Sequence, residues 1–400
     1  MRARLVVILV VGAIAAGTLL AGCAAEEEAG GPIKIGVLPA LTGSLATNEK
    51  EAVHGIKLAF DEVNYEVAGR KIELIVEDIG EDPALCLTKV KKLNELDNVD
   101  LLLGPCVTSS GLAIRDYIHE NEIVTIAWFC SSPSFLEESY SRYFFRSSHN
   151  SGHQPTGHSA YIPYTVNGYR KAVCTALDYQ AGHDEVEGFK GIFEGLGGEV
   201  IQEIYMPIGT ADYGPYMAMI DVDNADFVWS FHWGDDAVRF VKALDEYGIK
   251  DKVRLFFTGG ATVEPPDLWA EGDSALGIED ASHYSAVLDT PENTRFVQAV
   301  RDKYQEDVTI YTEHGYVAAK MAILALEEVE GDVEDVAGMI EALENLEFEA
   351  PRGPIKFEGL HSPIQNIYHR VVEKVDGKLQ NTVIGTYADV GPYWMPPELR

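Results

Sequence analysis

Two clusters of neutral hydroxyls, Thr108-Ser109-Ser110 and Ser131-Ser132, carry the residue types best suited to holding a small anion. The first follows Leu101-Leu102-Leu103-Gly104-Pro105, an apolar run broken at Gly-Pro, and precedes the periodic series Leu112, Ile114, Tyr117, Ile118. That order reads as a buried strand, a turn and the start of a helix. A helix start offers unpaired backbone N–H groups and a partial positive charge, a setting that suits a carboxylate. The same hydroxyls could simply cap the helix. Ser131 and Ser132 precede Pro133 and can offer hydroxyl and N–H donors in the same way.

Three other groups of reactive residues point elsewhere. His149, His153 and His158 have a spacing that suits a metal only on a helix, and Gly152 and Pro155 interrupt one. They read instead as a hinge and helix start lining a cleft, with His149 or Gln154 touching ligand and no metal or other cofactor. The chain lacks G-x-S-x-G, H-E-x-x-H and G-x-x-x-x-G-K-[ST], and Gly195-Leu196-Gly197-Gly198 reads as a helix C-cap, so no enzyme is expected. Cys86, Cys106, Cys130 and Cys174 contain no C-x-x-C pair. Cys86 lies near a helix start and Cys106 follows the next strand, on the same edge of one βαβ unit, so a Cys86–Cys106 disulfide worth about 3 kcal/mol is expected. Cys130 is the rival partner for Cys106, and Cys174 reads as a buried thiol.

The N-terminus bears on compartment. Met1-Arg2-Ala3-Arg4 is basic, Leu5 to Leu19 is apolar, and the run ends in Leu20-Ala21-Gly22-Cys23. This resembles a bacterial lipoprotein signal, which implies a leader over 1–22, a lipid anchor on Cys23 and an extracytoplasmic, disulfide-permitting location. Residues 23–31, with Glu26-Glu27-Glu28 and Gly30-Gly31, read as an acidic flexible linker. The net charge of −33 excludes a nucleic-acid partner, which needs a basic face, and argues against a broad hold on anionic lipid. With 46% hydrophobic residues, the 400-residue chain can bury a large core, best divided into two domains.

The elements that would position the hydroxyls alternate. Strands are expected at Ile33–Pro39, Ile72–Val76, Leu101–Leu103 and Ile123–Trp128, with helices between them and a further short strand at Arg142–Arg146. A second series starts after a helix near 154–166, with strands at 171–177, 199–206, 226–233 and 253–258. Helices follow at 294–304, 313–329 and 332–345. Strands then return at 355–357, 365–375 and 383–387, with a turn at Asp376-Gly377. Alternating βα units with apolar strands imply parallel sheets covered on both faces.

The opening strand with Leu41-Thr42-Gly43, the loop Gly104-Pro105-Cys106-Val107-Thr108-Ser109-Ser110, the tandem βα layout and the closing Gly353-Pro354-Ile355-Lys356-Phe357 together resemble the type I periplasmic binding proteins of the leucine/isoleucine/valine kind. The resemblance implies an α/β fold of two doubly wound parallel-sheet lobes joined by a three-strand hinge. Lobe one would span 32–150 plus 284–354 and lobe two 151–283 plus 355–400, with crossovers near His149, Tyr284 and Gly353. It also implies a monomeric receptor that closes on a small molecule between the lobes and docks on an ABC permease. Carried over residue by residue, the ligand carboxylate would meet Thr108, with Ser109 beside it, Ser131 and the backbone of Phe129.

One departure is informative. Amino-acid receptors of this family place a glutamate after the fourth strand of lobe two to pair with the ligand ammonium; here that position holds Ala261. Glu264 and Glu313 are candidate substitutes. The run Trp229-Ser230-Phe231-His232-Trp233 ends a strand, so Trp233 or His232 should reach the cleft. With Trp128, Phe129 and Tyr179 that makes an aromatic-lined pocket for a flat or apolar ligand. The ligand reading stays open among a branched-chain or other apolar amino acid, a related hydrophobic carboxylate, and an aromatic carboxylate or amide. A sensing role serving a separate signalling partner is the remaining alternative.

Overall fold

The apolar runs separated by amphipathic stretches become strands and helices in the expected alternation. The computed structural model describes residues 31–400; the expected leader and Cys23 lie outside the described residues. The chain opens β1 (Ile33–Val37), α1 (Ala46–Glu62), β2 (Glu66–Val67), β3 (Arg70–Val76), α2 (Pro83–Lys92), β4 (Leu101–Leu103), α3 (Thr108–Glu120), β5 (Thr125–Ala127), β6 (Phe144–Arg146). These strands form one sheet in the order β2-β3-β1-β4-β5-β6, parallel except for the β2–β3 hairpin. Its two faces carry separate cores. Ile35, Leu101, Leu103 and Ile126 point to one; Leu102, Ala127 and Phe144 point to the other.

Next come α4 (Pro155–Thr165), β7 (Lys171–Leu177), α5 (Gln180–Gly195), β8 (Glu199–Met206), α6 (Gly214–Met217), β9 (Phe227–Phe231), α7 (Gly234–Glu246), β10 (Arg254–Thr258), α8 (Asp267–Glu271) and β11 (Glu279–Ser282). Three longer helices follow: α9 (Pro291–Tyr304), α10 (Ile310–Glu328) and α11 (Val336–Glu344). The chain closes with β12 (Glu347–Ala350), β13 (Gly353–Lys356), β14 (Ile364–Val375) and β15 (Lys378–Val390). The second sheet runs β12-β13-β14-β11-β10-β9-β7-β8, with β15 paired to β14. The β14–β15 hairpin turns at Asp376 and Gly377, both at positive φ (52° and 80°), as a two-residue turn between long strands requires.

The fold is thus the two-lobe α/β architecture of type I periplasmic binding proteins. Helix α10 returns to the first sheet and packs along α1, where backbones approach so closely that a Cβ on Gly315 would lie 2.1 Å from the Ala52 carbonyl oxygen. The segments crossing between sheets are bolted together by Arg352. Its guanidinium donates to Glu313, to the Ser147 carbonyl (2.8 Å) and to the Gln365 side chain (2.9 Å), and Arg352 and Glu313 are both fully buried.

The expected disulfide is corrected. Cys86, Cys106, Cys130 and Cys174 are all free, buried thiols. Cys86 packs in the core on one face of the first sheet with Val90, Leu93 and Leu102, whereas Cys106 belongs to the core on the other face with Leu103 and Trp128. Sharing an edge of a βαβ unit does not place two side chains on the same side of the sheet. The Cys130 thiol donates toward the carbonyls of Pro105 and Val107, both at 3.4 Å.

Candidate functional site

The candidate cleft lies where the carboxyl ends of the strands of both sheets face each other, as open α/β sheets place ligands. From the first sheet, β4 runs into α3. The helix starts at Thr108, and its N-cap is Val107 with no side-chain cap, so the hydroxyls are not used as caps. Thr108 is half-buried, Ser109 exposed, and Ser110 buried with its hydroxyl unpartnered in the protein. Beyond β5, Phe129 is half-buried and its carbonyl accepts from Ser148 Oγ (2.7 Å). Ser131 is half-buried and its hydroxyl accepts from Ser151 Oγ (2.9 Å).

A buried carboxylate that the sequence reading missed holds these loops in place. Glu49, on the first turn of α1, accepts from the Ala40 amide (3.2 Å) and from Trp128 Nε1 (3.1 Å), and it bonds the Cys106 thiol. One side chain thereby ties together the loops after β1, β4 and β5. Burial pushes its carboxyl up to about 7, against the opposing pull of those donors. Trp128 itself is fully buried in the first-sheet core.

From the second sheet, Tyr179 and Trp233 are the N-cap residues of α5 and α7. Both are half-buried, and Trp233 Nε1 donates to the Tyr179 hydroxyl (2.9 Å). His232 turns the other way: it is buried, stacks on Phe240 with ring centroids 4.0 Å apart, and bonds Ser230 through Nδ1 (2.8 Å). Strand alternation is what separates it from Trp233. Gln154 is also fully committed within the protein, accepting from the Asn150 amide and donating to the Pro363 and Val390 carbonyls. His153 bonds the Trp394 carbonyl and His158 packs at a tilt against the Trp394 ring, so both are engaged with the C-terminal segment.

The lobes meet at Gly260. Its φ of +89° is a left-handed conformation that favours glycine, and a Cβ there would lie 3.5 Å from His149 Cε1 and 3.9 Å from Phe129 Cζ. Ala261 follows, buried. Against the same contact sits a knot of rings. Phe129 stacks with Tyr311 (5.9 Å) and meets His314 edge-on (4.9 Å), while His149 and His283 lie 4.9 Å apart. Tyr311, His283 and His314 were not singled out by sequence reasoning, although Glu313 beside His314 was. They come together only through tertiary packing.

Both carboxylates considered for the missing ammonium partner are already paired. Glu264 accepts from Arg370 (2.5 Å), the Gly260 amide (3.0 Å) and Ser282 (3.2 Å), and Arg370 also binds Asp280. Glu313 accepts from Arg352 Nε (2.7 Å). A cavity of about 60 Å³ beside this network is lined by Glu264, Tyr284, Thr309 and Arg370.

Comparison with known proteins agrees with this architecture. Residues 32–377 match the family model described as periplasmic binding protein. The chain is 28% identical over 364 residues to Leu/Ile/Val-binding protein homolog 6 of Brucella melitensis, covering 90% of this chain and 92% of the relative. Among solved structures, an ABC transporter substrate-binding protein from Sphaerobacter thermophilus superposes with a TM-score of 0.86 at 34% identity, covering 90% of this chain and 98% of the other. A solute-binding protein of an ABC transporter from R. palustris, in complex with 4-hydroxybenzoate, superposes with a TM-score of 0.84 at 30% identity and the same coverage. The chain belongs to the periplasmic binding protein family. That family's members are solute-binding proteins of the extracytoplasmic space, and among the described residues no helix is long and apolar enough to cross a membrane.

Proposed function

We propose that the protein is the lipid-anchored receptor of an ABC importer and that it takes a hydrophobic or aromatic carboxylate lacking an ammonium group. The observation that carries this reading is the state of the two candidate counter-ions: Glu264 and Glu313 each serve a buried arginine, and Ala261 stands where an amino-acid receptor has its glutamate. Burying an ammonium without a carboxylate is costly, whereas a ring costs nothing of the kind. Thr108, Ser131 and the open start of α3 supply neutral donors for the carboxylate, and Phe129, Tyr311, Tyr179 and Trp233 supply flat walls. The R. palustris relative bound to 4-hydroxybenzoate supports the same class.

In this reading the lobes divide near His149, Tyr284 and Gly353, ligand binds first to lobe one, and lobe two closes over it before the complex docks on a permease. The anchor is Cys23, and the protein works as a monomer. A branched-chain amino acid is the second reading, favoured by the Brucella relative's name and by Asp267. That half-buried carboxylate accepts from the Gly234 amide (2.8 Å) at the lip of lobe two.

Titration calorimetry with benzoate, 4-hydroxybenzoate and leucine tests the choice. Benzoate-class acids should bind, and Thr108→Ala combined with Ser131→Ala should weaken them more than tenfold, since each hydroxyl donates to a charged group. Tight leucine binding that is lost in Asp267→Asn would establish the second reading instead.

A further inference from the structure

Glu185 is a buried carboxyl with no counter-ion. It lies on α5, is 4% exposed, and makes no ion pair among the described residues. Its partners are hydroxyls. Thr156 donates to one carboxyl oxygen and lies 3.4 Å from the Thr258 hydroxyl at the end of β10. The Ser151 hydroxyl also bonds the carboxyl. Ser151 stands just before α4 and is tied to Ser131 twice. Its Oγ lies 2.9 Å from Ser131 Oγ, and its amide donates to the Ser131 carbonyl (2.8 Å). A chain of side-chain oxygens thus runs from Glu185 on α5 through Ser151 to Ser131, the half-buried hydroxyl beyond β5.

Hydrogen counting decides what Ser131 can offer. Each hydroxyl carries one hydrogen, and an ionised carboxylate only accepts. With Glu185 ionised, Ser151 gives its hydrogen to the carboxylate, and the Ser131–Ser151 contact must be filled by the hydrogen of Ser131. Toward the cleft Ser131 then has only lone pairs, which repel an anion. With Glu185 protonated, its O–H donates to Ser151, Ser151 donates to Ser131, and the Ser131 hydrogen is free for an anion. Burial raises the Glu185 carboxyl above its ordinary range, against the pull of Ser151 and Thr156, and the like charge of Asp184 adds to the rise. The Tyr179 hydroxyl also faces it, and Glu137, Glu138, His153 and Glu187 line the crevice outside Ser151.

We propose that Glu185 is a positioning residue whose proton sets the direction of the Ser131 hydroxyl, so that the ligand carboxylate is taken up together with one proton from solvent. This rests on the carboxylate reading above and adds a proton to it. A neutral hydroxyl at Ser131 would fit either direction and take up none.

Calorimetry with benzoate on the full chain, at pH 6 and pH 8 and in buffers of different ionisation enthalpy, tests it. Benzoate itself stays ionised over this range. The parent should bind at least fivefold more tightly at pH 6, within the ceiling of about tenfold per pH unit for one proton, and its apparent enthalpy should vary with the buffer in the sense of proton uptake. Glu185→Gln keeps a permanent donor for Ser151. It should bind benzoate at pH 8 within threefold of the parent at pH 6, with no dependence on buffer. Glu49 and Glu51 are also raised to about 7, so loss of uptake in Glu185→Gln is what assigns the proton to Glu185. Equal affinity at both pH values without uptake overturns the inference and leaves the carboxylate reading standing. Uptake that survives in Glu185→Gln also overturns it. The buffer series on the parent stands as a test even where the variant does not fold. Failure of benzoate to bind at either pH, with leucine bound, defeats the carboxylate reading itself and this inference with it.

Discussion

Glu49 shows how much one residue can organise. It joins three loops of the first lobe through Ala40, Cys106 and Trp128 while staying fully buried, and burial raises its carboxyl from 4.5 to about 7. Glu51, two residues further along the helix and bonded to Thr309, is also raised to about 7 by burial. The sign of the linkage follows. Between about 4.5 and 7 the native state keeps protons that the unfolded chain has released, so stability falls as pH rises across that window and flattens above it. Carboxylates held low, such as Glu77, Asp236 and Asp307, act in the opposite sense at lower pH. Buried imidazoles held low, such as His149, His158 and His232, also act in the opposite sense below about 6.5, so the glutamate shows in a difference: the melting-temperature advantage of the parent over Glu49→Gln, read by scanning calorimetry, should be larger at pH 5 than at pH 8, and an advantage that is flat or grows with pH over that range contradicts the assignment. None of this was readable from the sequence, where Glu49 looks like any first-turn acid. The hydroxyl loops were readable because strand, Gly-Pro break and helix start are local signals. The histidine knot was not: its three members lie in different segments and share nothing until the chain folds.

At the scale of elements, α1 and α10 cross with their backbones in close approach. Gly55 and Gly315 face each other's helix backbones, so a Cβ on Gly55 would sit 1.9 Å from the Thr312 carbonyl oxygen. Gly315→Ala should push the helices apart and cost about 1–3 kcal/mol, the usual range for overpacking. A urea melt should show a lower midpoint with an unchanged slope, and a midpoint equal to the parent's would mean that the helices have slack the structure does not show. Elements with apolar runs, such as β1, β4 and β7, were legible for that reason. Strand β11 was not, because its sequence Glu279-Asp280-Ala281-Ser282 looks like a turn. It is a strand because its neighbour neutralises it: Arg370 on β14 is register partner to Asp280, and His369 bonds Glu279 (2.6 Å). A cross-strand charge pair overrides local propensity, which is a tertiary fact. The disulfide expectation failed for a related reason, since chain proximity says nothing about which face of a sheet a side chain takes.

At the scale of the whole molecule, the lobes are joined at the crossing segments, where Arg352 ties Glu313, Ser147 and Gln365 together and Arg370 holds the Tyr284 carbonyl. Rotation is then the cheap motion, and the surfaces it brings together decide how far it goes. Gly260 is the stop. Its missing side chain lets lobe two settle against His149 and Phe129, and anything larger at that position acts as a wedge. Gly260→Leu adds some backbone strain at a positive φ, about 1–2 kcal/mol, and leaves both cores intact. Its main effect should be on closure. The parent should become more compact on saturation with a benzoate-class acid, seen as a smaller radius of gyration by small-angle scattering. The leucine variant should stay extended and bind at least tenfold more weakly. Thr108→Ala should behave differently, weakening binding but still compacting once enough ligand is supplied, because it removes a contact to ligand and leaves the stop alone. If Gly260→Leu compacts and binds like the parent, the meeting of Gly260 with Phe129 is not what limits closure, and the hinge itself must set the closed angle.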